Sequence, residues 1–300
     1  MRVLVLHTLP PAAAAGRSLS EFDLSEAAQG IADVLPEAVA AGVRGEATEI
    51  LALLAAHKPD VVFNVCEAPL GRPGLEAHVA ALLEWVAVRF TGCGSETLAL
   101  CRRKDRTNAV LSAMGVRVPR TDVFPCIVKP ADDDGSVGIH AASICNDAAA
   151  LAQARARITG PAIVEEFLTG REFVASLWGR DAPENNAIGE TRFLNGLRLN
   201  TYAAKWDPDS DEFGNSPIDY DIELDAALRE AIVAAACGAW KAVAARGYIR
   251  VDIRLDAAEV PFVLDVNPNP ELGPGVGIRR AVQEAGWSWE RFVRQQIEWA

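Results

Sequence analysis

Two segments near the C-terminus constrain the fold of this chain more than any others. They are Gly247-Tyr248-Ile249-Arg250-Val251-Asp252-Ile253-Arg254-Leu255 and Pro261-Phe262-Val263-Leu264-Asp265-Val266-Asn267-Pro268-Asn269-Pro270. Each reads as a β-strand, and Asp256-Ala257-Ala258-Glu259 between them reads as a tight turn. Alternation along a strand puts Arg250, Asp252 and Arg254 on one face, and Asp265 and Asn267 on one face of the partner. The intervening residues are mostly Val, Ile, Leu and Phe, which belong in a core. Carboxylates in such a setting are costly without a compensating partner. A hard divalent cation such as Mg2+ supplies one, because it takes oxygen ligands and keeps positions open for phosphates. A structural ion pair of Asp252 with Arg250 or Arg254 is the competing reading. The second acid at Asp265 and the rigid Asn-Pro-Asn-Pro run favour the metal.

With 300 residues, half of them hydrophobic, the chain can build two or three packed lobes. A net charge of −12 and a pI near 4.9 argue against nucleic acid or an anionic membrane as the main partner. Cys66, Cys93, Cys101, Cys126, Cys145 and Cys237 form no CxxC pair and read as reduced thiols of a cytoplasmic protein. The opening Met1-Arg2-Val3-Leu4-Val5-Leu6 is too short for the apolar stretch of a signal, and no apolar run reaches membrane-spanning length.

The first 90 residues predict strands at 3–6, 59–65 and 86–90, with helices at 25–39 and 75–85, hence a doubly wound α/β lobe. A basic helix carrying Arg102, Arg103, Lys104 and Arg106 follows. Strands are expected at 126–130, 139–144, 162–168 and 172–178, with helices at 147–157 and 224–246 and a last one rich in Trp. Residues 185–220 read as a loose polar loop, a length usually reserved for function.

Lys129 ends an apolar strand before Pro130 and the loop Ala131-Asp132-Asp133-Asp134-Gly135-Ser136-Val137-Gly138. Glycines there free N–H groups for a phosphate, Ser136 adds a hydroxyl and Lys129 a point charge. A snorkelling strand-end lysine beside an ordinary turn fits the same residues. Glu165-Glu166-Phe167-Leu168 offers a strand-to-linker crossing between apolar segments, suited to adenine, with Glu172 within reach of a ribose; a plain edge strand is the alternative. Lys104 sits among basic neighbours as if on a solvated face, and Lys205 beside Trp206 carries no signal alone. His7, His57, His78 and His140 lack metal spacing.

Taken in order, these signals resemble the ATP-grasp fold and, more closely, the D-alanine–D-alanine ligase branch. The matches are Thr91-Gly92-Cys93-Gly94, Ile127-Val128-Lys129-Pro130 with Gly135-Ser136-Val137-Gly138, the run from Glu165 to Glu172, and the run from Arg250 to Asn267. The resemblance implies an α/β (α+β ATP-grasp) chain, an N-terminal doubly wound lobe at 1–90 and two lobes, 91–169 and 170–300, clamping ATP. It implies phosphate contacts from Lys104, Lys129, Ser136 and Lys205. It places adenine at Glu165, Glu166, Phe167 and Leu168 with Leu264 beneath, and the ribose at Glu172. Asp252, Asp265 and Asn267 would hold two Mg2+ ions, with Mn2+ as the substitute. Arg250 would steady the carboxylate being activated, and Glu21 would meet the first substrate's amino group. The implied reaction is ATP-dependent carboxylate–amine ligation through an acyl phosphate, on small amino-acid-like substrates, by a homodimer.

Three positions depart from that branch. Trp206 stands where it usually has a tyrosine and Glu271 where it usually has a small glycine, while Leu272-Gly273-Pro274-Gly275-Val276-Gly277 lacks its serine for the second substrate's carboxylate. Arg279 or Arg280 is the expected replacement for that serine. These departures keep open a ligase for another amino-acid-like substrate, a phosphotransferase, or a nucleotide-binding module without catalysis.

Overall fold

The computed structural model describes residues 1–10, 24–133, 135–194 and 196–300. Strands β1 (Val3–Thr8), β2 (Ala38–Val43) and β3 (Val61–Val65) form a parallel sheet in the order β2-β1-β3, with helices α1 (Ser25–Ala32) and α2 (Ala47–His57) between them. Strands β1 and β3 are buried throughout, as their unbroken apolar runs require. The helix expected at 25–39 stops at Ala32, and β2 follows. Alanine-rich β2 is only partly buried and has no alternating pattern to reveal it. After α3 (Glu76–Trp85), residues 86–90 contribute a single bridge, Val62 to Phe90, rather than a strand. Ala87 takes a left-handed φ of 54°, which interrupts the extended backbone there.

The expected basic helix is two helices, α4 (Ser95–Cys101) and α5 (Lys104–Ala113). A small antiparallel sheet follows, β5-β4-β6, from β4 (Cys126–Pro130), β5 (Ile144–Cys145) and β6 (Ala162–Glu166). Helix α6 (Ala148–Ala156) starts where the Asp147 carboxylate accepts from the Ala150 N–H. Half of the strand expected at 139–144 is instead a tight helical turn, Ala141–Ser143, and only Ile144 joins a strand.

The large antiparallel sheet has the order β11-β10-β7-β8-β9. It uses β7 (Glu172–Gly179), β8 (Pro183–Thr191), β9 (Ile218–Asp219), β10 (Gly247–Leu255) and β11 (Pro261–Asn267). Helices α7 (Tyr202–Trp206) and α8 (Ala226–Ala242) lie between β8 and β10, and α9 (Gly277–Glu284) and α10 (Trp289–Trp299) close the chain. The segment expected to be loose at 185–220 thus begins as a full strand pairing Thr191 with Glu172.

Phe173, Ala175 and Leu177 of β7 and Ile249, Val251 and Ile253 of β10 share one core with Leu4, Leu6 and Val62 of the parallel sheet and with α8. Each such Val, Leu, Ile or Phe side chain contributes about 1.5–3 kcal/mol by leaving water. The small sheet has a separate core of Cys126, Val128, Cys145 and Ala154. Since one face of β7 and β10 is committed to the core, the alternate residues Glu172, Arg250, Asp252 and Arg254 point the other way, toward the small sheet.

Candidate active site

In the β10–β11 hairpin, Asp252 stands opposite Asp265 and Arg250 opposite Asn267. The ladder shifts register immediately after Asp252, so the paired carboxylates sit at an irregularity of the strand. The Arg250 guanidinium forks onto Asp252, with Nε donating at 2.8 Å and the second nitrogen at 3.1 Å. That contact is the main reason the guanidinium is held above its ordinary range. Asp265 is 3.4 Å from the Lys104 ammonium. The ion-pair reading of Asp252 therefore describes a real contact, and the two carboxylates still face a shared cavity.

The opposite wall comes from the small sheet. Lys129 on β4 pairs with Glu165 on β6 at 2.6 Å, and Asn108 of α5 donates to the same carboxylate at 2.6 Å. The Lys129 ammonium also donates to the Leu264 carbonyl at 3.3 Å, which ties the two sheets across the cleft. Lys104 is buried at the first residue of α5, contrary to a solvated face, while its neighbour Arg103 turns out to Asp105.

At the crossing after β6, Glu166 turns away to Arg120, which forks onto it at 2.6 and 2.8 Å. The Leu168 N–H is claimed by no acceptor among the described residues, and Ile127, Leu168 and Leu264 line the cavity beside it. An unclaimed donor between apolar walls can pair with an acceptor on the edge of a flat ring. Glu172 pairs with Arg254 at 3.3 Å. Burial pushes the Glu172 carboxyl up and Arg254 pulls it back. Arg254 lies between the rings of Phe167 and Phe193, 5.3 Å from each. Strand alternation had placed Arg254 on this face without suggesting that role.

The long segment after β8 roofs the glycine loop. Trp206 Nε1 donates to the Gly135 carbonyl at 3.1 Å, and Tyr202 N–H donates to Ile139 at 3.4 Å. Gly135 has a φ of 67°, a left-handed conformation that glycine adopts at no steric cost. Lys205, one residue from Trp206, points into the cavity, and burial pushes its ammonium down.

One cleft, about 990 Å3 of empty space partly open to solvent, gathers Lys104, Lys129, Ser136, Lys205, Glu172 and Leu264. The same cleft is lined by Glu165 to Leu168 and by Arg250, Asp252, Asp265 and Asn267. Asn200 also lines it, a residue with no readable sequence signal. Glu21 lies outside the described residues. Arg279 is turned away, stacked at 4.9 Å on Trp289, whereas Arg280 stacks at 5.2 Å on Tyr220. Among the described residues no three His, Cys, Asp or Glu side chains cluster as a metal site. The oxygen set of two carboxylates and the Asn267 amide, oriented by a 2.9 Å bond from Asn269 N–H, nevertheless fits a hard cation that also takes phosphate ligands. A cleft with two carboxylates on one wall and lysines on the other suits a polyphosphate carried with its counter-cation.

The family model "D-ala D-ala ligase C-terminus" matches residues 97–298. A D-alanine–D-alanine ligase of Anaeromyxobacter sp. (strain K) is 30% identical over 245 residues, covering 75% of this chain and 74% of that protein. The ATP complex of D-alanine–D-alanine ligase from Bacillus anthracis superposes with a TM-score of 0.73 at 20% identity, over 99% of this chain and 96% of that one. The VanG D-Ala:D-Ser ligase of Enterococcus faecalis gives 0.75 at 18% identity, over 100% and 99%. These structural likenesses bear out the ATP-grasp fold. Among the described residues, no helix is long and apolar enough to cross a membrane.

Proposed function

This chain belongs to the D-alanine–D-alanine ligase family and is an ATP-dependent carboxylate–amine ligase; from that premise we propose how its cleft divides the work. Adenine lies against Leu264 at the Glu165–Leu168 crossing, and Glu172 takes the ribose. Lys104, Lys129, Ser136 and Lys205 hold the phosphates. Asp252, Asp265 and Asn267 hold Mg2+, which when bound neutralises phosphate charge. Arg250 steadies the negative charge on the donor carboxyl as it is phosphorylated and then attacked by the amine. Lys205 and the roof over the glycine loop keep water from the acyl phosphate. The substrates are small amino acids or close relatives, D-alanine being the nearest named one. Cytoplasmic location and a homodimer are part of the same proposal.

The register of the hairpin carries this reading. It places two acids, an amide and an arginine on one wall, opposite two buried lysines. A simple nucleotide-binding module has little need of Arg250 beside the reacting end. In the Asp265→Asn variant, ADP formation should fall by about 100-fold or more while the protein still melts cooperatively. Wild-type turnover in that variant would sink the Mg2+ assignment.

A further inference from the structure

A second cavity opens off the nucleotide cleft, toward the β9 edge of the large sheet. It holds about 700 Å3 of empty space, partly open to solvent, and Lys205, Arg250 and Asp252 line both spaces. Its floor is the face of β7, β8 and β9 that carries Val174, Thr191 and Ile218. Thr191 stands between Glu172 and Ile218 of the neighbouring strands. Gly189 lets the Ile218 side chain lie against the sheet, since a Cβ there would stand 2.5 Å from its Cγ2. Ala204 of α7 and the segment 214–217 form the roof. The Gly214 N–H ties that segment to the Ala204 carbonyl at 3.1 Å, and the Arg192 N–H ties β8 to the Pro217 carbonyl at 2.9 Å.

Within these largely apolar walls two hydrogen-bonding groups are unused. Thr191 is 5% exposed, and its hydroxyl has no partner among the described residues. Asn200 lines both cavities. The Ser216 hydroxyl donates to one end of its amide at 3.0 Å, and the other end has no partner among the described residues. Buried polar groups are ordinarily hydrogen-bonded, so a ligand that satisfies both is favoured. The charged residues of this cavity, Glu172, Lys205, Arg250 and Asp252, all line the nucleotide cleft as well.

We infer that this cavity takes the side chain of the donor amino acid, and that this side chain is longer than a methyl group and ends in a carboxamide, as in glutamine. This rests on the ligase reading above, which seats the donor carboxyl at Arg250. A carboxamide both donates and accepts, which suits the Thr191 hydroxyl and the Asn200 amide. An ionised end would find no counter-charge beyond the groups that serve nucleotide and metal. An alanine methyl would leave the space to water beside the carboxyl being activated.

The test is hydroxamate formation from Mg-ATP and hydroxylamine, with glutamine, leucine and alanine of each configuration as donors. Wild type should favour glutamine over alanine of the same configuration by roughly tenfold or more in kcat/KM. Thr191→Val keeps the volume and deletes the hydroxyl; it should lower kcat/KM for glutamine by roughly 2–12-fold and spare leucine. Ser216→Phe fills the cavity from the loop and should bring the glutamine-to-alanine ratio to within about threefold of unity. Both variants are checked for cooperative melting. Equal or better use of alanine by wild type, or a ratio unchanged in both variants, overturns the inference while the ligase reading stands. So does a raised KM for ATP with an unchanged donor ratio, which would give the space to nucleotide, and so does hydroxamate from other amino acids but none from glutamine. Failure of every amino acid to give hydroxamate would overturn both.

Discussion

Lys129 and Glu165 face each other at 2.6 Å, with the lysine side chain 10% and the glutamate 1% exposed. Their attraction offsets the cost of taking both charges out of water, so removing one leaves the other uncompensated. Replacing Glu165 with Ala should lower unfolding stability by about 3–5 kcal/mol, read from the denaturant midpoint; a loss below about 1 kcal/mol would mean that water reaches the lysine freely. Lys129 was legible because an apolar strand stops at Lys-Pro before a glycine loop. Lys104 was distinguished from its basic neighbours only by the family resemblance, since its inward direction depends on where α4 breaks from α5. The Arg254–Glu172 pair was equally hidden, because β7 and β10 are joined only by the sheet pairing that sets Arg254 opposite Glu172.

Among the elements, α7 has the largest bearing on chemistry. Five residues long and capped by Thr201, it presents Lys205 inward and lets Trp206 hold down the glycine loop. Trp206→Phe keeps an aromatic ring and deletes the N–H donor. A neutral hydrogen bond of about 0.5–1.5 kcal/mol corresponds to a rise in the KM for ATP of roughly 2–12-fold, with little change in melting temperature. An unchanged KM would show that the roof closes without this bond. The two strands of the hairpin and their turn were readable from alternation, whereas the register shift after Asp252 was not. Strands β2 and β8 were not: β2 is a half-buried run of alanines, and β8 begins Pro-Glu-Asn-Asn, where pairing with β7 overrides weak strand propensity.

Across the molecule, the parallel sheet and the large sheet share a core, whereas the small sheet packs on its own. The cleft lies between these bodies, bridged by Lys129 to Leu264 and roofed by Trp206 to Gly135. That arrangement allows nucleotide to be clamped between two sheets. The residues that line this cleft were legible because their types recur in a fixed order. The contact of Arg280 with Tyr220 was not legible, because it forms only through the packing of α9 beside β8. Trapping the activated donor tests the central claim most directly: purified protein, Mg-ATP and hydroxylamine with a panel of D- and L-amino acids. At least one amino acid should give a hydroxamate matched one-to-one by ADP and phosphate. Phosphate release with no hydroxamate from any of them would contradict an acyl-phosphate ligase.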